Sequence, residues 1–428
     1  MSKIRLHGSS SGYVEIAPAA AASNNTLTAP STVGEIIAKD AAGAIGITSM
    51  KASNVNVGAA VTITESGIEA SGIGITCANI NGTQIGGRRN IIINGAMNVA
   101  QRGTSSTTSG YGSVDRFRVA FSGTDEAPTH AQVDVSSGTT PYTLGFRKAL
   151  KVTNGNQTSG AGASDQIEIN YRIEGQDMAG SGWNYISSNS KITLSFWVKS
   201  SVAQNFYGYI RSVSGTVRSH PYETGSLTAD TWTKITKTFS GDSNITINND
   251  NSVEFNFYLI PFFGTGSTAS GVSLTAWNTY DATALMPDNT STWYTTNDAT
   301  LELTGVQLEV GPQATAFEHR SFGEELVSCQ RYFQKIDHRK SSGSSGDRIM
   351  YYENISFNTT MRAAPSLTTS SEYGSDSGNF VTYTSGDYST TVNGCQLRHA
   401  TTSQVTVSGT DGAQYHDIRG RVHLEAEL

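Results

Sequence analysis

Between residues 89 and 320 the chain repeats one signature: short runs in which hydrophobic and polar positions alternate with a period of two. From Asp165 to Gly175, residues Ile167, Ile169, Tyr171 and Ile173 fall on one side and Glu168, Asn170, Arg172 and Glu174 on the other. Successive side chains of a strand point to opposite faces, so this run predicts a half-buried strand with a wet polar side. Leu144, Phe146, Leu150 and Val152 share a side in the same way, as do Ile192, Leu194, Phe196 and Val198, and Val253, Phe255, Phe257 and Leu259. Gly, Ser, Asn, Asp or Thr bound each run, as strand ends should be. Many such strands, with no long helix-period segment between them, predict two antiparallel sheets packed face to face. The expected unit is a jelly-roll β-sandwich over residues 89–322.

The flanks read differently. Residues 1–35 hold one strand-like run, Tyr13 to Ile16, followed by low-complexity sequence from Ala17 to Asn25. Such a segment buries too little apolar surface to fold alone, so it is either a linker or an attachment segment ordered on a larger partner, and the second is preferred. Residues 36–88 are small, β-branched and glycine-punctuated, and no aromatic residue occurs from Gly34 to Gly87. Strands this thin close no core in a single copy, whereas three copies around an axis cover each other's apolar edges. That predicts a homotrimeric β stem, with a small monomeric sheet as the other reading. In residues 323–428, Glu324 to Phe333 predicts a short helix or an extended junction before strands resume at Ile349. Ile418, Val422 and Leu424 on one side of a closing strand complete a small C-terminal β-sandwich, making the whole chain all-β.

Composition narrows the function. The chain has 428 residues, enough for two or three domains, and only 15% of them are charged, against a usual share of about 25%. Ser and Thr fill the gap at roughly a quarter of the residues. A net charge of -7 offers nothing to neutralise a phosphate backbone, so nucleic acid is not an expected partner. No apolar run approaches the ~20 residues of a membrane span, and no basic-then-apolar leader opens the chain; assembly in a reducing cytoplasm is expected. Cys77, Cys329 and Cys395 match no ligand spacing and read as plain thiols, and the eight histidines form no tight pair, so neither metal nor cofactor is expected. There is no His-Glu-x-x-His or P-loop. Asp115, Glu168 and Glu174 have no readable separation as a glycosidase pair, so a non-enzyme is expected.

Asp115 to Val119, Ala149 to Thr153 and Thr231 to Phe239 stand in an order that resembles the carbohydrate-binding-module type of jelly roll found in fibre proteins of tailed bacteriophages, marine (cyanophage-like) ones especially. The opening Asn90-to-Arg102 run and the closing Leu308-Glu309-Val310-Gly311 with Ala316-Phe317-Glu318 strengthen the likeness. Cys329-Gln330-Arg331-Tyr332, Met361 to Pro365 and Ala426-Glu427-Leu428 resemble the C-terminal module of many phage tail fibres. The resemblance implies a virion structural protein, a homotrimer docked through residues 1–35 on a tail adaptor, nozzle or capsid protein, that recognises host-surface glycan without catalysis. A capsid-borne fibre or adaptor without receptor binding and a polysaccharide depolymerase tailspike are the alternatives.

A sugar's C–H face stacks on an aromatic ring while its hydroxyls bond Asn, Asp and Arg, so exposed loop aromatics are the expected binding residues. These are Tyr222 in His220-Pro221-Tyr222-Glu223, then Trp277 and Tyr280, then Trp293 and Tyr294, and at the C-terminal tip Tyr373, Tyr383 and Tyr388. Packing of the same aromatics onto the sheet is the competing reading. Trp183, Trp197 and Trp232 lie in or beside strand-like runs and are expected to pack.

Overall fold

Ile167, Ile169, Tyr171 and Ile173 all point inward from the Gln166–Glu174 strand, and none is more than 2% exposed. The computed structural model describes residues 88–343, 350–374, 389–400 and 415–428, together with the backbone of six short strands that precede them. The chain divides into two compact units, Met1–Thr76 and Cys77–Leu428. In the first, Ile4–His7 pairs antiparallel with Tyr13–Ile16, and Val61–Thr64 with Gly67–Ala70. In the second, Asn79–Ile80 pairs with Thr83–Gln84. The rest of the expected attachment segment and stem, with Cys77, lies outside the described residues.

The middle of the chain is a β-sandwich of two six-stranded antiparallel sheets. The first runs Thr233–Ser240, Lys191–Ser200, Thr300–Val310, Lys148–Thr153, Thr129–Asp134 and Ser105–Ser106. The second runs Asn278–Thr279, Arg218–Ser226, Asn205–Ser212, Val253–Phe263, Gln166–Glu174 and Phe117–Ser122. The chain passes repeatedly from one sheet to the other, and side chains of both inner faces fill one core, among them Leu150, Leu194, Phe196, Phe257 and Leu303.

Two asparagines seat the entry into the sandwich. Asn90 donates from Nδ2 to the Val306 carbonyl and accepts at Oδ1 from the Ile92 and Leu308 amides. Asn94, at φ 61°, donates to the carbonyls of Val99 and Asp115 and accepts from the Val99 amide. Asn tolerates this left-handed backbone, and its amide satisfies groups that would otherwise be buried unpaired. Ile91, Ile92, Ile93 and Met97 are thereby delivered to the core.

The C-terminal strands form two three-stranded sheets, Phe333–Gly343 with Tyr415–Glu425 and Ser366–Gly374, and Met350–Ser356 with Gly394–Ala400 and Ser389–Thr390. Their own core contains Ile355, Met361, Cys395, Val422 and Leu424. The junction is a helix, Phe322–Gln330, opened by a capping box in which Ser321 and Glu324 bond each other's backbone amides. Residues on either side of 322/323 share the sandwich core, since Cys329, Tyr332 and Leu428 lie in it. Charged side chains reinforce that union: the buried Arg116 pairs with Glu427, Arg331 reaches Glu174 at 3.0 Å, and Arg362 donates to Asn251, Ala426 and Glu427 carbonyls. Among the described residues no helix is long and apolar enough to cross a membrane.

Candidate functional site

The outward side of the second sheet is built by strand register. Arg118 lies opposite Asn170, Asn170 opposite Tyr258, Tyr258 opposite Tyr209, and Tyr209 opposite Pro221, so five strands give one residue each to a single row. A flanking row runs Arg172, Asn256, Arg211 and Ser219. On the other flank Ala120 pairs with Glu168, and Ile260 with Tyr207, which pairs with Glu223. Their chain neighbours Phe117, Val119, Ile169, Tyr171, Phe257, Leu259 and Ile210 are core residues, so the period of two turns these rows away from the core. Five strands at ~4.8 Å spacing give the long row a span of about 19 Å.

The row is aromatic in its middle and polar around it. The rings of Tyr209 and Tyr258 stack at 4.2 Å with an interplanar angle of 18°. The Arg211 guanidinium lies over Tyr258 at 5.6 Å and over Tyr280 at 5.0 Å. Assigned from its hydrogen-bond partners, the Asn256 amide places its oxygen toward Arg211 Nη2 at 3.1 Å and the Tyr258 hydroxyl at 3.3 Å and its nitrogen toward the Phe255 carbonyl at 2.9 Å. Arg118 pairs with Glu168 at 3.1 Å, and Asn170 Nδ2 donates to the same carboxylate at 2.7 Å. Asn170 Oδ1 and Arg211 Nε are buried and have no hydrogen-bond partner. Burial pushes the Tyr209 and Tyr258 hydroxyls upward in pKa, which keeps both protonated and able to donate. Burial also raises Glu168, against the pull of Arg118.

Both ends of this face are walled. Leu285 and Met286, from the segment after the Asn278–Thr279 strand, pack with Tyr209, Tyr258, Ile260 and Phe263, with Tyr207 and Tyr280 alongside. Toward the other end Arg172 donates to the Leu428 carbonyl. Tyr209 and Tyr258 are nearly covered, at 2% and 5% exposed, whereas Arg118, Glu168, Arg172, Arg211, Tyr207 and Tyr280 are half-buried. The half-buried Tyr207 and Tyr280 rings, with the arginines beside them, are the part of this surface that can meet a sugar ring and its hydroxyls. Asp115 and Glu174 are elsewhere: Asp115 accepts from Gln101 and Glu174 from Arg331, both at the junction with the C-terminal segment. Among the described residues no group of three or more His, Cys, Asp or Glu stands ready for a metal.

Of the aromatics expected in exposed loops, Tyr280 joins this face and four others do not. Tyr222 is in a strand, not a loop, and points inward at 2% exposed. It fills the space that Gly208 leaves, where a Cβ would stand 2.4 Å from its ring, and its hydroxyl donates to the Tyr258 carbonyl at 2.6 Å. Trp293 and Tyr294 occupy a one-turn helix, at 0% and 1% exposed. The Trp293 indole donates to Thr300, and Tyr294 stacks on Phe262 at 4.2 Å with its hydroxyl on Asp165. Trp277 is 9% exposed, donating to the Ser240 carbonyl and packed edge-on against His220 and Phe255. Each has an internal acceptor for its polar atom, which is what lets it sink. Tyr383, Tyr388 and the side chain of Tyr373 lie outside the described residues. Trp183 is buried, and Trp197 and Trp232 are partly buried against the Phe146 cluster. Tyr207, Tyr209, Arg211, Asn256 and Tyr258 are the face residues that loop-centred reasoning missed; the alternation of the strands Asn205–Ser212 and Val253–Phe263 was the signal for them.

No protein-family model matches the sequence, and no curated protein matches it. Among solved structures, the chain is similar to the enzymatically active domain of tailspike protein 4 of bacteriophage CBA120, at 8% identity and a TM-score of 0.27, over 52% of this chain and 21% of that one. It is also similar to the N-terminal cellulose-binding domain of Cellulomonas fimi β-1,4-glucanase C, at 12% identity and a TM-score of 0.24, over 51% of this chain and 99% of that one. A third likeness is to the family 11 carbohydrate-binding module of a Clostridium thermocellum cellulosomal cellulase, at 14% identity and a TM-score of 0.22, over 51% and 98%. The chain thus spans about a fifth of the tailspike structure's length.

Proposed function

We propose that the outward face of the second sheet binds glycan, and that the chain is a non-catalytic fibre protein of a tailed phage that adsorbs to a host surface. The observation that carries the glycan reading is the half-buried pair Tyr207 and Tyr280 beside Arg118, Arg172 and Arg211 on the outward rows of the second sheet, backed by the covered Tyr209–Tyr258 stack. The virion setting rests on the resemblance of the Asn90-to-Arg102 and Cys329-to-Tyr332 runs to phage fibres. In this reading residues 1–35 attach to a tail or capsid protein, and a trimeric stem presents three faces, so that modest single-site affinity becomes avidity.

The test is a glycan array with the full chain, repeated with Tyr280→Ala and Tyr207→Ala. Loss of an aromatic platform worth about 0.5–1.5 kcal/mol should weaken binding roughly two- to tenfold. Binding to glycans that ignores both substitutions would remove this face from the function. Sedimentation velocity separately checks the assembly: a trimer is expected, and a monomer would sink the stem.

A further inference from the structure

We infer that the ligand of this face carries a carboxylate, making it an acidic glycan; the inference rests on the glycan reading of the same face. The chain as a whole is acidic, at a net charge of -7, yet the face rows carry three guanidiniums, Arg118, Arg172 and Arg211, against the carboxylates of Glu168 and Glu223. Their commitments differ. Arg118 is neutralised by Glu168 at 3.1 Å, Arg172 donates to the Leu428 carbonyl, and Glu223 accepts from Asn205 at 2.8 Å. Arg211 has no carboxylate partner among the described residues: Nη2 meets the Asn256 amide oxygen, and Nε is buried with no acceptor.

The position of Arg211 is set before any ligand arrives. The rings of Tyr258 and Tyr280, at 5.6 and 5.0 Å, hold the guanidinium, so little side-chain freedom is left to lose on binding. A planar guanidinium meets a carboxylate with two parallel N–H···O bonds, and charge-assisted bonds of this kind are roughly twice as strong as neutral ones. Glu168 acts electrostatically on Arg211 but forms its ion pair with Arg118, so a neutral hydroxyl would add no counter-charge of Arg211's own, whereas a carboxylate would.

The experiment measures affinity of the full chain for polygalacturonate, alginate and polysialate, each beside its carboxyl-reduced counterpart, with dextran sulfate as a polyanion of other chemistry. The expected result is binding to at least one acidic polymer about tenfold or more tighter than to its reduced form. Arg211→Ala should abolish that preference and Arg211→Lys, which keeps charge but not the fork, should retain part of it; the two together keep the test informative if one fails to fold. Lys234→Ala, at an exposed site on the first sheet, should leave the preference intact. Equal affinity for acidic and reduced forms, equal affinity for dextran sulfate, a preference that survives Arg211→Ala, or no binding to any acidic polymer would each overturn the inference. If reduced polymers still bind in a Tyr280-dependent way, the glycan reading survives that failure; if nothing binds, it falls as well.

Discussion

Removing the Glu427 carboxylate should unfold much more than the last strand it follows. The Arg116 and Glu427 side chains are only 1% and 4% exposed, and they pair directly. Arg116 also donates to the Arg172 carbonyl at 2.6 Å and lies over the Tyr332 ring at 3.4 Å, while Glu427 faces a second guanidinium, Arg102, at 3.2 Å. A buried pair of this kind is worth little against well-packed apolar residues, because desolvation offsets the attraction. Breaking it from one side is another matter, costing about 3–5 kcal/mol because a charge is left dry. Glu427→Ala strands Arg116, whereas Arg102 keeps Glu425 at 3.7 Å and Asp115 at 4.0 Å, so a loss of about 3–5 kcal/mol is expected. At ~2 °C per kcal/mol for a large domain, the melting midpoint should fall by about 6–10 °C. Thermal and urea unfolding followed by tryptophan fluorescence read the sandwich directly, since Trp183 and Trp293 are core residues. Replacing Arg116 and Glu427 together by Met, which leaves Arg102 its Asp115 and Glu425 partners, should restore most of the loss. A Glu427→Ala midpoint within a degree or two of the parent would refute the reasoning.

Two further outcomes follow from the buried residues. Trp293→Ala should cost about 3–5 kcal/mol in urea unfolding, as for a core aromatic; a sugar platform would instead show lost binding with little change in stability. His130 is 0% exposed, with Nδ1 at 2.8 Å from the Ser113 hydroxyl and Nε2 at 2.9 Å from the Thr108 carbonyl, and burial lowers its pKa below the ordinary value. His220 is shifted the same way. As pH falls below about 6.5 the unfolded chain therefore takes up protons that the folded one refuses, and stability should decline toward each lowered folded pKa. Urea midpoints measured between neutral and mildly acidic pH should show this decline, and His130→Gln should make it shallower; an unchanged slope would remove His130 as the cause.

The inward half of this fold is legible in the sequence. Ile167, Ile169, Tyr171 and Ile173 declare a buried side because apolar residues at a period of two have no other economical use. The polar half is less so. Asn170 and Glu174 share the side that alternation marks as wet, yet both are 0% exposed, one within the candidate site and one beneath Arg331. The site itself joins residues 118, 170, 209, 221 and 258 through lateral register, which one sequence does not carry. Tyr207, Tyr209 and Arg211 alternate with Phe206, Gly208 and Ile210, and Asn256 and Tyr258 with Phe255 and Phe257, so the aromatic and polar sides of two strands could be read, but not that they are neighbours. Trp293 and Tyr294 show the opposite limit: a tryptophan or tyrosine suits core and surface equally, and what decides is an acceptor such as Thr300 or Asp165 that only the folded chain supplies.

The Arg116–Glu427 contact spans 311 positions of sequence. A ribosome working at about 5–20 residues per second leaves Arg116 waiting roughly 15–60 s for its counter-ion after it is made. Through that interval the nascent sandwich holds an open seam where Tyr332 and Leu428 later enter its core. Truncated translation products should consequently be the species that proteases and chaperones seize, and slow, late closure should govern the yield of native protein.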